Sequence, residues 1–175
     1  MKLINKPNKD EYPPYAEMYM RLVPEDGLVL RHLETNGILL KKLFLSIPTE
    51  KLLYRYSPDK WTLKEILVHL VDDERIYTYR ALRFARNDNT ELPGFNQDDF
   101  ARFSGANERD LHNILEEYDA VRKASITLFN GLPDEALTRV GRTNESMVSV
   151  RALAYHITGH ELHHLNIIKE KYLKE

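Results

Sequence analysis

Trp61-Thr62-Leu63-Lys64-Glu65-Ile66-Leu67-Val68-His69-Leu70 is the stretch on which the fold turns. Thr62 followed three residues later by Glu65 is a capping-box pattern. The threonine oxygen accepts from the amide of the third helical residue, and the glutamate reaches back to the cap amide. Trp61 stands just before the cap and Ile66 at the staple position, which fixes how the chain enters the helix. The helix that starts here is expected to run to about residues 84–86. It should stop in the polar stretch Asn87-Asp88-Asn89-Thr90.

Three more helices are predicted on either side of it. One runs from about residue 24 to 46. Pro24 suits the first helical position, Glu25 and Asp26 complement the positive end of the dipole, and Pro48 closes the segment. Val29, Leu33, Leu40, Phe44 and Ile47 recur there at helical spacing. Another starts at Asn107, a good cap, and continues through Leu111, Ile114, Leu115, Tyr118, Val121, Ile126 and Phe129 until Gly131 and Pro133 end it. The last starts near Ser149 and runs almost to the C-terminus, where the lysines suit the negative end of the dipole. No segment alternates with a two-residue period between hairpin turns, so strands are not expected beyond a short extension. Residues 1–20, with Pro7, Pro13 and Pro14, read as an irregular arm pinned to the body by Tyr12, Tyr15 and Tyr19. The expected architecture is all-α: one domain over residues 1–175, a four-helix bundle with connections of roughly 15 to 20 residues, longer than usual. Links of that length permit orders other than up-down-up-down.

The bulk numbers agree. A chain of 175 residues that is 42% hydrophobic and 30% charged has the size and composition of one globular core. The net charge of -2 offers no basic field for nucleic acid and no polybasic segment for an anionic membrane. No stretch approaches the roughly 20 apolar residues of a membrane span, and residues 1–15 lack the apolar centre of a signal peptide. A cytoplasmic protein is expected. There is no cysteine, so any metal site must use His, Asp, Glu or water.

The chemistry concentrates in His156-Ile157-Thr158-Gly159-His160-Glu161-Leu162-His163-His164. With His160 at zero on the helical wheel, Leu153 lies at about 20°, His164 at about 40°, Ile157 at about 60° and Ile167 at about -20°. His160 and His164 thus lie one turn apart inside an apolar stripe. His156 and His163, at about -40° and -60°, stand at its edge. Buried imidazoles need partners for both ring nitrogens. One such histidine is ordinarily satisfied by a neighbour; two at this spacing, with a third on a facing helix, point to a metal. His69 supplies the third: it shares a face with Ile66, Asp73, Ile76 and Arg80. Three protein ligands would leave a position open for water or substrate, the pattern of a catalytic site.

His160-Glu161-Leu162-His163-His164 also reads as the H-E-x-x-H zinc-protease motif. Only 11 residues follow His164, so no helix carrying a downstream glutamate ligand fits, and the extended G-x-x-H form is absent. Glu161 reads equally as a catalytic base or as a solvated helix residue. Asp73, one turn beyond His69, is open between orienting a ligand, binding metal and lining a polar edge. Arg80 is open between an anionic substrate and a neighbouring acid. Trp61 reads as a core staple, and His32 and His112 as surface or packing residues. Leu162 and Leu165, opposite the histidine stripe, would pack on another segment or form a dimer surface.

At Trp61–Leu70 and His156–His164 the chain resembles the DinB/YfiT-like superfamily of metal-dependent enzymes, and the likeness extends more loosely over most of its length. The resemblance implies a four-helix bundle, often dimeric, whose nickel, zinc or other divalent ion is held at the positions of His69, His160 and His164. It also implies relatives that are thiol S-transferases using bacillithiol or similar small thiols, thiol-dependent isomerases, or hydrolases. The expected function is a metal-dependent enzyme acting on a small molecule, through metal-bound water or a metal-bound low-molecular-weight thiol. The alternatives are a non-catalytic metal- or ligand-binding bundle and a structural bundle with incidental histidines.

Overall fold

The structure, a computed structural model, describes residues 1–173. Turns at Lys9–Glu11 and Pro14–Ala16 lead into the short α1 (Glu17–Met20), followed by the long α2 (Val29–Ser46). Then come α3 (Leu63–Ala85), α4 (Gln97–Phe103), α5 (Leu111–Gly131) and α6 (Asp134–Leu137). A hairpin of β1 (Val140–Thr143) and β2 (Ser146–Ser149) precedes α7 (Val150–Ile167), which passes into a π-helical turn, Ile168–Tyr172. The four expected long helices are α2, α3, α5 and α7. None of the helices described is long and apolar enough to cross a membrane.

Local chemistry sets the strongest boundaries. Thr62 Oγ1 accepts from the Glu65 amide at 3.1 Å, and Glu65 Oε2 accepts from the Thr62 amide at 2.7 Å. Asn87, at φ 57°, turns the chain out of α3 in the left-handed conformation that ends many helices. Ser149 caps α7 by accepting from the Ala152 amide at 3.1 Å.

Two starts differ from expectation. α2 begins at Val29 rather than Pro24, because Gly27 adopts φ 73° and breaks the helical path. Asp26 therefore bonds the Leu28 amide and His32 instead of serving a helix dipole. α5 begins after Asp110, whose carboxylate accepts from the His112 amide at 2.8 Å. Asn107 is occupied elsewhere: it accepts from Thr62 Oγ1 at 2.7 Å and donates to Glu65 Oε1 at 2.9 Å, tying a loop to the capping box of α3.

The hairpin was not expected. β1 and β2 pair antiparallel, with Thr143 opposite Ser146 around Asn144-Glu145. Both turn residues have positive φ, 47° and 62°, as a type I′ turn requires. Asparagine tolerates that region, but glutamate is rare there, which hid the turn in the sequence. Leu92 adds to the hairpin beside Thr143, its amide bonding the Arg142 carbonyl at 2.9 Å.

Around the bundle the helices follow the order α2, α5, α3, α7, so α2 and α3 stand across one diagonal and α5 and α7 across the other, while α3 and α5 are neighbours. The long connections make that crossing feasible. Apolar residues form two clusters. One joins α2, α7, the hairpin and the arm around Leu33, Phe84, Phe129 and Tyr155. The other joins α2, α3, α5 and the end of α7 around Phe44, Leu67, Ile114 and Ile168. Leu165 is buried in the second cluster and Leu162 packs against both, so neither forms the exposed dimer surface considered above.

Between the clusters lies a charged layer. Arg122 of α5 donates to both carboxylate oxygens of Glu74 on α3, to Glu161 on α7 and to the Leu33 carbonyl of α2. Tyr118 donates to Glu161 at 2.7 Å. Burial works to lower the pKa of Arg122, but the charges of Glu161 and Glu74 outweigh it and hold the guanidinium protonated.

The first 20 residues form an arm of mostly irregular backbone and short helical turns that packs on the body. Ile4, Tyr12, Ala16 and Met20 are buried, and Tyr155 donates to the Ile4 carbonyl at 2.8 Å. The arm covers the outer side of α7, whose residues from Ala152 to Glu161 are all buried. Contact is closest at Gly159, where an added Cβ would lie 2.2 Å from the Tyr19 carbonyl oxygen. Gly159→Ala is therefore expected to lift the arm and to cost about 1–3 kcal/mol through overpacking. Urea unfolding measures the loss, and hydrogen exchange at residues 19–22 should rise. Unchanged protection there would show that the arm does not depend on this contact.

Candidate metal centre

His69 from α3 meets His160 and His164 from α7. The separation of Nε2 atoms is 3.1 Å between His69 and His160 and 3.1 Å between His160 and His164. One nitrogen from each ring lies within 4.8 Å of the other two. The capping box sets where His69 falls on α3, and the Ser149 cap sets the phase of the α7 pair. Donor nitrogens sharing one ion at about 2.0–2.1 Å stand roughly 3 Å apart when their angle at the ion is near 100°. The spacing fits a common ion.

The ring chemistry fits as well. His160 Nδ1 lies 3.3 Å from Asp73 Oδ2. A proton held on Nδ1 by that carboxylate leaves Nε2 as a lone pair facing the other two rings. Burial, and then the neighbouring His160, lower the pKa of His69 to about 4. The same causes, with His69 added, push His164 well below its ordinary value. Neutral imidazole is the form that ligates a metal. The Nδ1 atoms of His69 and His164 have no protein partner among the described residues.

The remaining candidates separate by contact. Asp73 is buried, its Oδ2 3.3 Å from His160 Nδ1 and 3.9 Å from His156 Nε2. His156 is buried but stacks on Tyr77, with ring centroids 3.9 Å apart. His163 is half-buried and meets the edge of Tyr19. His112 is exposed, as expected.

Glu161, read equally as a base or as a solvated helix residue, is buried and points into the charged layer, where Arg122 and Tyr118 take up its carboxylate. The physical reason is direction: neighbouring residues on a helix diverge by about 100°. His160 faces α3 and its neighbour Glu161 faces α5.

Two aromatic groups stand beside the cluster. Trp61, a staple against the second hydrophobic cluster as expected, is half-buried, and its ring also lies 4.6 Å from that of His69 and nearly parallel to His164 at 6.3 Å. Tyr19, taken as an anchor of the arm, stands edge-on to His156, His160 and His163 at 4.9 to 5.4 Å. Only the folded arm brings it there. A cavity of about 190 Å³ opens beside the cluster, with His160, Asp73 and Tyr19 on its wall. It is walled by the arm, α3, α7, the hairpin and the loop around Phe95.

The fold has a solved counterpart. YfiT from Bacillus subtilis, described as a probable metal-dependent hydrolase with an unusual four-helix bundle topology, superimposes with a TM-score of 0.74 at 15% identity. The match covers 95% of this chain and 91% of that one. A search of curated protein sequences finds no match. The DinB superfamily model matches residues 32–168, a span that runs from α2 to the end of α7 and includes all three clustered histidines. This chain belongs to the DinB superfamily.

Proposed function

We propose that this chain is a metal-dependent hydrolase of a small molecule, with one divalent ion held by His69, His160 and His164. The observation that carries the reading is the convergence of three imidazole nitrogens in a mostly buried cluster beside a cavity. The likeness to YfiT supports it. An all-nitrogen set of neutral imidazoles suits zinc or nickel better than magnesium or calcium. Such an ion, when bound, supplies a Lewis acid that activates a nucleophile near neutral pH and polarises the electrophile.

The chain's own residues prepare the site. Asp73 holds the His160 ring and its tautomer. Trp61 and Tyr19 flank the cluster. Glu161, engaged by Arg122, supports the bundle rather than the reaction. The test is metal analysis of the untagged protein, followed by a screen of esters, amides and lactones with chelator and with added zinc or nickel. Turnover that survives demetallation overturns the reading. Turnover only with a low-molecular-weight thiol such as bacillithiol moves it to S-transfer, and a stable ligand complex without turnover makes it a binding module.

Substitution of each ligand should be selective. His69→Ala, His160→Ala and His164→Ala are expected to lose most bound metal, while His156→Ala and His163→Ala keep it. Equal losses in all five, measured by metal content, would require another ligand set.

The two carboxylates should part company. Asp73→Asn is expected to weaken zinc binding about 10–100-fold by freeing the His160 ring. Glu161→Gln should leave zinc affinity within a few-fold and instead lower stability by about 3–5 kcal/mol, since it weakens a buried ion pair. A zinc titration and a denaturation curve on each variant separate these outcomes.

Acid should destabilise the metal-free fold. Burial lowers the pKa of His156 to about 3 and that of His69 to about 4, against 6.5 for an unperturbed histidine. Below about pH 6.5 the unfolded chain binds more protons, so stability falls as pH drops toward 4, by on the order of a few kcal/mol. Urea unfolding between pH 7 and 4.5 checks this; a flat profile would mean that these rings are not held neutral.

A further inference from the structure

Two arginines are equally withdrawn from water, Arg122 at 6% exposed and Arg80 at 5%. Arg122 has two carboxylates. Arg80, on α3, forms no ion pair with any described residue. Among the described residues its one hydrogen bond runs from Nη2 to the Pro93 carbonyl at 3.0 Å. Its guanidinium carbon lies 4.9 Å from the centre of the Tyr77 ring and 5.9 Å from that of Phe95. These faces offer only weak compensation for a buried charge. Arg80 lines the cavity that reaches His160. So does Thr143, itself 8% exposed, whose Oγ1 is buried without a hydrogen-bond partner. A guanidinium without a carboxylate partner, from α3, and an unpartnered hydroxyl, from β1, thus line the same space.

We infer that the cavity binds a small carboxylate, with the anion seated on Arg80 and Thr143 and the rest of the molecule extending toward the histidine cluster. The inference rests on the hydrolase reading and gives its substrate class. A guanidinium fork matches a carboxylate in a planar, two-bond geometry, and a threonine hydroxyl adds a third donor. A single arginine balances a single negative charge. The cavity wall carries no lysine and no second unpaired cation, and it holds the Asp73 carboxylate, so a phosphate dianion would remain uncompensated. Arg80 lies seven residues beyond Asp73, about 10 Å along the helix axis. That sets the distance between the anion and the level of His160. Tyr77 lies between them, stacked on His156, and forms an apolar side wall.

The test compares 4-phenylbutyrate with its neutral amide, 4-phenylbutyramide, by isothermal titration calorimetry. It uses the protein as purified, with zinc content measured, and again after dialysis against EDTA. The acid is expected to bind both forms at least tenfold more tightly than the amide. Arg80→Gln should lose tenfold or more in affinity for the acid while keeping the wild-type zinc content, and Arg80→Lys should recover part of the loss. The nearly isosteric Thr143→Val, which leaves Arg80 in place, should weaken the acid severalfold. The acid–amide comparison on the wild type needs no variant to fold. Equal binding of acid and amide, no binding of the acid at millimolar concentration, or affinity unchanged in Arg80→Gln each overturns the inference. Acid binding that vanishes with EDTA and ignores Arg80 also overturns it, by placing the carboxylate on the metal. Arg80-dependent binding in a protein that retains no zinc upholds this anion site and defeats the metal reading instead.

Discussion

At the centre of the bundle sits a largely buried guanidinium, and the helices are arranged to satisfy it. Arg122 reaches α3 through Glu74, α7 through Glu161 and α2 through the Leu33 carbonyl. An unpaired charge at that depth would cost several kcal/mol, so the three facing helices cannot slide or rotate independently. Gly37 on α2 eases the approach, since an added Cβ would stand a tight 3.3 Å from Arg122 Nη1 and 3.2 Å from the Tyr118 hydroxyl.

The same constraint positions the histidines. On α3 the layer is anchored by Glu74 and the cluster is supported by Asp73, the residue before it. On α7 the layer is anchored by Glu161 and the cluster includes His160, again the residue before. Adjacent residues on a helix point about 100° apart, so each helix shows one carboxylate to Arg122 and the preceding residue to the site. Fixing Glu74 and Glu161 on one guanidinium thereby brings His69 level with His160 and His164. With this layer intact, one nitrogen from each of the three rings lies within 4.8 Å of the other two.

Arm and hairpin complete the site from outside the four helices. The arm packs on Gly159 and brings Tyr19 against the rings, while β1 brings Thr143 into the cavity that Arg80 lines. These pieces come from both ends of the sequence and depend on α7 being buried around its circumference in its first half. The bundle supplies the three clustered imidazoles, and the added pieces supply walls of the cavity beside them.

What the sequence determined by itself was the chemistry that neighbours in the chain complete. The Thr62–Glu65 box, the Ser149 cap and the stop at Asn87 were legible because each is satisfied within a few residues. The histidine pair of α7 and the face of His69 were legible because a helix repeats every 3.6 residues. What only the tertiary structure decided was every assignment that depends on a distant partner. Glu161 was unreadable as a structural acid because Arg122 is 39 residues away, and Asn107 was unreadable as a brace because Glu65 is 42 away. Asp73 was left open until His160, on another helix, came within 3.3 Å. The hairpin was concealed by a glutamate at positive φ, and the ordering of the first 20 residues by the lack of any local pattern in a segment that is stabilised by packing on α7. Local hydrogen bonds and helical periodicity are written in adjacent residues, whereas the direction a buried charge takes is settled only by which opposite charge the fold brings to it.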